Sequence, residues 1–181
     1  MKKTGLSVAL IATALCSSST FAADAADIYV AASYNHLSID FNNADVDDTE
    51  GVGLLFGIDF PENLAFEAEY INSGKTHMDY KVGSIQSAKM QVQSLAMYGV
   101  FRTEGKIYFK GRAGISTSLI DISRIQCSGS FCVNDIYDTN LGFAFSAGGG
   151  ITLNEKINVE AEYKLLNSDI DTLGLGIVYK F

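Results

Sequence analysis

Large apolar residues recur at every second position along most of the chain, and a period of two predicts β-strands. The C-terminal segment is the plainest case: Leu173, Leu175, Ile177, Tyr179 and Phe181 alternate with Gly174, Gly176, Val178 and Lys180. The segment before it sets Ile157, Val159, Ala161, Tyr163 and Leu165 against Asn158, Glu160, Glu162 and Lys164. Val52, Leu54, Phe56, Ile58 and Phe60 oppose Gly51, Gly53, Leu55, Gly57 and Asp59, and Leu64, Phe66, Ala68 and Tyr70 oppose Ala65, Glu67, Glu69 and Ile71. Ile107, Phe109, Ala113 and Ile115 oppose Tyr108, Lys110, Arg112 and Gly114, while Leu141, Phe143, Phe145, Ala147, Ile151 and Leu153 oppose mostly Gly, Ala and Ser.

Two further segments alternate less sharply. Over 27–39 the pattern predicts Ile28, Val30, Ala32 and Tyr34 on the outer face against Tyr29, Ala31, Ser33 and Asn35. Over 88–101 it predicts Val92, Ala96, Tyr98 and Val100 outside, with Leu95 and Met97 inside. Together these segments make eight strands. Pro61-Glu62-Asn63, Arg102-Thr103-Glu104-Gly105 and Asn154-Glu155-Lys156 read as tight polar turns. The connections that alternate with them are longer, at 36–50, 72–87 and 121–138, with a short fourth near Asn167-Ser168-Asp169.

The first residues follow a different rule. Lys2 and Lys3 precede an apolar run from Leu6 to Leu15, and Thr20-Phe21-Ala22 offers small residues at a signal-peptidase site. Residues 1–22 are therefore expected to be a signal peptide and 23–181 a single β-barrel domain. The apolar run is too short for a helix that crosses hydrocarbon in roughly 20 residues. Removing the two lysines moves the formal charge from −8 to −10. So acidic a chain argues against nucleic acid as a partner.

Short turns at one end and long loops at the other are the layout of an eight-stranded antiparallel up-and-down transmembrane β-barrel, all-β in class. Lipid offers no hydrogen-bond partners, so a sheet within it must close on itself. A soluble barrel of the lipocalin kind shows the same alternation with the apolar face turned inward. Eight inward rows of Phe, Tyr, Leu and Ile would overfill so narrow a barrel, whereas Gly, Ala, Ser and a few ion pairs fit. The membrane orientation is the expected one.

With its alternation up to a terminal aromatic, Leu175, Ile177, Tyr179, Phe181, the chain resembles the small eight-stranded outer-membrane barrels, the group of the OmpA transmembrane domain and OmpX-like proteins. The resemblance implies that Ile177, Tyr179 and Phe181 carry the signal read by the barrel assembly machinery; they also suit a lower aromatic girdle. Some larger relatives add a peptidoglycan-binding domain after the barrel, and none follows the last strand of this sequence, so a cell-wall tether is not implied. Trp is absent, so interfacial belts fall to Tyr34, Tyr70, Tyr163, Phe60, Phe101 and Tyr179.

Counting up from the short turns, Glu67, Lys110 and Glu160 share one depth, Glu69, Arg112 and Glu162 the next, and Lys164 lies above them. These residues are expected to form an ion-pair network in the lumen, a plug that stops continuous water. A proton or ion path is the alternative. Cys127 and Cys132, the thiols left after removal of Cys16, are expected to form a disulfide in an exported protein. Two Cys without a nearby His make an incomplete metal site.

The first long loop carries Asp40, Asp45, Asp47, Asp48 and Glu50 without the spacing of a calcium loop. No metal or cofactor is expected. A lipid A-modifying enzyme would need Ser, His and an acid near the outer rim, and His36, Ser38 and Asp40 are the closest approach to one. The expected role is structural or surface-interacting through the long loops: adhesion, host-factor resistance or envelope integrity. A small transport or ligand-binding barrel is the alternative. The expected partners are outer-membrane lipids and lipopolysaccharide, the assembly machinery and a host or cell-surface ligand.

Overall fold

A computed structural model describes residues 27–39, 44–46, 48–80, 85–127, 136–167 and 170–181. The expected signal peptide, residues 1–22, lies outside them. Ten strands form among the described residues: β1 (Ile28–Ile39), β2 (Ala44–Val46), β3 (Thr49–Phe60), β4 (Leu64–Ser73), β5 (Thr76–Tyr80), β6 (Ile85–Arg102), β7 (Ile107–Cys127), β8 (Ile136–Thr152), β9 (Ile157–Leu166) and β10 (Ile170–Lys180).

Eight of them close a barrel in the order β1–β3–β4–β6–β7–β8–β9–β10, and β10 returns to β1 from Tyr29↔Lys180 to Ile39↔Ile170. Every pairing is antiparallel. The remaining two strands sit outside the ring. β5 pairs with the upper end of β6, from Thr76↔Met90 to Asp79↔Ser87, and β2 pairs with β5. No helix among the described residues is long and apolar enough to cross a membrane.

The short turns satisfy their own backbone. Asn154 Oδ1 accepts from the amides of Lys156 (2.9 Å) and Ile157 (2.8 Å). Thr103 Oγ1 accepts from the amide of Phe109 at 2.8 Å. Glu62 and Asn63 close the first hairpin with φ of 66° and 65°, a conformation that Asn tolerates better than Glu.

The faces divide as an inside-out barrel requires. Leu173, Leu175 and Ile177 of β10, Val52 and Leu54 of β3, and Phe109 of β7 all point outward and are at least 59% exposed. Tyr29, Asn35, Glu67, Lys110, Arg112, Glu160 and Glu162 point inward and are buried. Two inward glycines make room for rings. A Cβ on Gly57 would lie 2.1 Å from the Tyr29 ring, and one on Gly150 would lie 2.5 Å from the Tyr108 ring.

The expected register of 88–101 is wrong. Val92, Ala96, Tyr98 and Val100 are buried in the lumen, while Met97 and Phe101 face outward. Both faces of this strand carry apolar residues, so alternation alone gave no sign. Arg112 decides it: its guanidinium stacks 4.3 Å from the Tyr98 ring, which requires Tyr98 inside.

The long connections also differ from expectation. β6, β7 and β8 run for 18, 21 and 17 residues, well past the roughly 9–11 that cross hydrocarbon when tilted. Much of 72–87 and 121–138 is therefore sheet. Continued cross-strand pairing satisfies backbone amides that a loop would leave to water.

Above the membrane zone the chemistry of the two faces reverses. The inner face becomes apolar, with Leu37, Ile39, Ile71, Met90, Val92, Ile120, Leu166 and Ile170 packed together and buried. The outer face becomes polar: Gln91 donates to Asn72 Oδ1 at 2.8 Å, and Tyr70 donates to Gln93 Oε1 at 3.1 Å. Tyr34 and Tyr163 lie on the same outer face and are half-exposed. These tyrosines set an apolar ring toward acyl chains and a hydroxyl toward water, as interfacial residues do.

Candidate functional site

The lumen is filled from the turn end upward by three tiers of charge. At the mouth, Arg102 holds Asp59 at 3.0 Å and Lys180 holds the other oxygen of the same carboxylate at 2.8 Å. Arg102 lies between two rings, 5.1 Å from the centre of Tyr29 and 5.5 Å from that of Tyr108. It also reaches Glu67 at 3.5 Å and Glu160 at 3.7 Å. One guanidinium thus ties β6 to β1, β3, β4, β7 and β9.

The next tier is centred on Lys110, which meets Glu67 at 2.7 Å, Glu160 at 2.8 Å and Glu162 at 2.9 Å. The two tyrosine hydroxyls complete these carboxylates: Tyr29 donates to Glu67 at 2.7 Å and Tyr108 to Glu160 at 2.6 Å. The third tier is centred on Arg112. Its guanidinium holds Glu67 and Glu69, each at 3.0 Å, and pairs with Glu162. Its Nε donates to Ser146 at 2.7 Å, and Ser146 donates to Glu162 at 3.1 Å. Lys164 closes the top, paired with Glu69 and donating to Asn35 Oδ1 at 3.1 Å.

Physically this is a neutral plug. Asp59, Glu67, Glu69, Glu160 and Glu162 face Arg102, Lys110, Arg112, Lys164 and Lys180, five of each sign. Charges taken out of water at a cost of several kcal/mol each are tolerated only with such complete pairing. The cavity left beside Glu69, Arg112 and Glu162 has a volume of about 20 Å³, room for roughly one water. Above it the apolar packing of Leu37, Ile71, Val92 and Ile170 continues the filling.

The structure brings together Glu67, Glu69, Lys110, Arg112, Glu160, Glu162 and Lys164. Sequence reasoning left out Arg102, which it read as a turn residue. Arg102 ends β6, and its side chain is only 11% exposed. Tyr29, Asp59, Tyr108 and Lys180 stood on the expected inward faces, and their parity was the available signal. Ile177, Tyr179 and Phe181 point outward at the turn end. The Tyr179 and Phe181 rings meet edge to face at 5.3 Å, and the Phe181 amide donates to Ile28 O at 3.1 Å.

Cys127 ends β7 opposite Ile85; Cys132, and with it the expected disulfide, lies outside the described residues, as does Asp40. Near the outer rim His36 and Ser38 instead meet Asp48. Ser38 donates to Asp48 Oδ1 at 2.9 Å, and His36 Nε2 lies 3.4 Å from Asp48 Oδ2. The hydroxyl is spent on the carboxylate and not on the imidazole, so the nucleophile–base contact of a hydrolase is not made. Among the described residues no group of three or more His, Cys, Asp or Glu side chains gathers into a metal site.

A family model described as the outer membrane protein beta-barrel domain matches residues 8–181. No curated protein matches the chain. Among solved structures, Neisserial surface protein A aligns at 17% identity over 85% of this chain and 97% of its own, with a TM-score of 0.61. Ail of Yersinia pestis, in complex with the heparin analogue sucrose octasulfate, aligns at 17% identity over 86% and 97%, with a TM-score of 0.57. OprG of Pseudomonas aeruginosa aligns at 15% identity over 87% and 96%, also at 0.57. At these identities the likeness is one of fold.

Proposed function

Because the chain belongs to the outer membrane protein β-barrel domain family and sits in the outer membrane, we propose that it is a surface-interaction protein: a plugged barrel that anchors a protruding, open-edged sheet. The observation that carries this reading is the upper end of β8. Among the described residues β9 pairs with β8 only from Ala144 to Thr152, so residues 136–142 are bonded to β7 on one side alone. Beyond the barrel the sheet runs β2–β5–β6–β7–β8, with β8 as one edge. Natural sheets avoid leaving such an edge bare unless it has a use, and a free edge accepts an extended segment from a partner by strand addition.

The plug supports an anchor over a transporter, because a space for one water offers no path for a solute. Charge narrows the partner. The segments 36–50, 72–87 and 121–138 hold nine carboxylates against three basic residues. The favoured partner is therefore an extended, neutral or basic segment of a host or cell-surface protein. A polyanion, the class to which the Ail ligand belongs, faces repulsion here. The reading extends to two further points. A bridge between Cys127 and Cys132 staples the hairpin tip, and thiol counting on the processed protein tests it. Ile177, Tyr179 and Phe181 are read by the assembly machinery during insertion.

Proline at Thr139 and, separately, at Asn140 tests the edge. Alternate amides of a strand point to opposite sides, so one of the two prolines removes an edge donor and spares the β7 ladder. That variant is expected to keep the heat-modified gel mobility of a folded barrel and to lose attachment of expressing cells to epithelial monolayers. Full attachment by both folded variants would contradict the proposal.

A further inference from the structure

The eight barrel strands do not leave the lipid belt at one height. Counted up from the short turns, six of them end their outward apolar row at the fourth or fifth position. His36, Glu50, Asn72, Gln93 and Asp171 then take the outer face of β1, β3, β4, β6 and β10, and β9 ends. On β7 and β8 the row reaches Leu119 and Leu141 at the seventh position. Two further outward positions are four residues, or roughly 10 Å of extra height for tilted strands. Leu119, Leu141 and Phe143 are 51%, 73% and 75% exposed, so an apolar step stands above the acyl layer that the other six strands mark out. Exposed apolar patches rimmed by polar residues are contact sites. The rim here is polar: Leu119 is paired with Gln93 on one side and Thr139 on the other.

We infer that this step seats the apolar side chains of the strand that adds to β8, and so selects an amphipathic strand as the partner. The inference deepens the strand-addition reading and rests on it. The last rung between β8 and β9 is Ala144↔Leu166. The chain's own cover of the β8 edge ends at Phe143, whose carbonyl accepts from the Asn167 amide at 3.3 Å. Leu141 lies just beyond, beside the edge left open among the described residues, with Leu119 diagonal to it across the β7–β8 ladder. A strand laid on that edge sets a side chain about 5 Å from Leu141 on the outer face. On the inner face it meets Asn140, which is exposed, and Gly142, where a Cβ would lie 2.5 Å from Asn167 Oδ1. The fitting partner therefore alternates large apolar residues with polar ones. A second copy in the same membrane does not fit. A twofold axis along the membrane normal would turn the outer face of one sheet toward the inner face of the other, so the two steps would never share a face.

The probe is a short peptide of alternating isoleucine and lysine with tryptophan at its centre. Lysine suits the acidic upper segments, and the chain itself has no Trp, so the emission belongs to the peptide. Barrels are held singly in nanodiscs of zwitterionic lipid. Wild type is expected to give a saturable blue shift, absent with empty nanodiscs and with an isomer whose isoleucines and lysines are grouped in two blocks. Leu119→Thr combined with Leu141→Thr keeps strand-forming residues and is expected to raise the dissociation constant about ten-fold, through lost apolar burial. Leu141→Met is expected to bind within about two-fold of wild type. The double variant is also expected to keep the wild-type unfolding midpoint in lipid vesicles. No shift with wild type, or equal affinity of wild type and the double variant, would overturn the step. A lowered midpoint beside unchanged binding would assign it to acyl chains instead. The edge fails separately: binding that survives both Thr139→Pro and Asn140→Pro but is lost in the double variant would overturn strand addition. Binding lost in one of those proline variants and kept in the double variant would overturn the step alone.

Discussion

Arg112 on β7 holds Glu67 on β4 at 3.0 Å across the middle of the lumen, and neither side chain reaches solvent. The strands are not neighbours; β6 stands between them in the sheet. The contact therefore braces the barrel across its interior, in addition to the ladder around its wall.

Removing this brace is expected to be costly. Arg112→Ala leaves Glu67, Glu69 and Glu162 short of a partner in a site without bulk water, a loss of about 3–5 kcal/mol. Urea unfolding in lipid vesicles reads it directly. Arg102→Ala is expected to cost less, about 1–3 kcal/mol, because that side chain is partly exposed at the mouth and water can replace it. Equal midpoints for Arg112→Ala and wild type would argue against the plug.

Two glycines predict opposite outcomes. Gly57→Val places a Cβ 2.1 Å from the Tyr29 ring, displacing both the ring and its hydrogen bond to Glu67. The expected loss is about 1–3 kcal/mol. At Gly111 a Cβ meets no atom within 4 Å, and the position faces lipid. Gly111→Val is expected to leave the unfolding midpoint unchanged or raised, by burial of its methyl groups among acyl chains. A loss at Gly111 as large as that at Gly57 would mean that the two faces are misassigned.

A full lumen predicts electrical silence. Purified barrel in planar bilayers is expected to show no unitary steps, given a cavity of about 20 Å³. Arg112→Ala is the variant in which leak should first appear. Regular conductance steps in the wild type would favour the transport alternative.

The terminal aromatics have two proposed uses, and kinetics separates them. Deleting Phe181 removes the edge-to-face contact with Tyr179 and the amide bonded to Ile28. If the end is read by the assembly machinery, folding into proteoliposomes that carry the machinery should slow far more than spontaneous folding in detergent. Equal slowing in both would leave the residues as girdle alone.

How much of this was legible in the sequence depends on contrast between the two faces of each strand. β9 and β10 oppose large apolar side chains to Glu, Lys or Gly, and their orientation could be read directly. β6 opposes Leu95 and Met97 to Val92, Ala96 and Val100, and without polar contrast its register was assigned backwards. Arg102 was hidden because a charged residue beside a turn looks like part of it; its burial depends on Tyr29 and Tyr108, which lie 73 and 6 positions away in the chain. The reversal above the membrane was hidden for a related reason. Ile71 and Val92 alternate with Asn72 and Gln91 as any amphipathic strand does, and a period of two carries no label for lipid or water. Only packing across the lumen, which gathers Leu37, Ile71, Val92 and Ile170 into one buried cluster, reveals that the apolar side has changed.

Spin labels along β6, in a background with Cys127 and Cys132 replaced by Ser, test this orientation most directly. Labels at Met97 and Phe101 are expected to collide with oxygen dissolved in the acyl chains, labels at Gln91 and Gln93 with a water-soluble nickel complex, and a label at Tyr98 with neither. Oxygen contact at Tyr98 and Val100, with Met97 shielded, would show that β6 is turned the other way, and the lumen built around Arg112 and Tyr98 would be wrong.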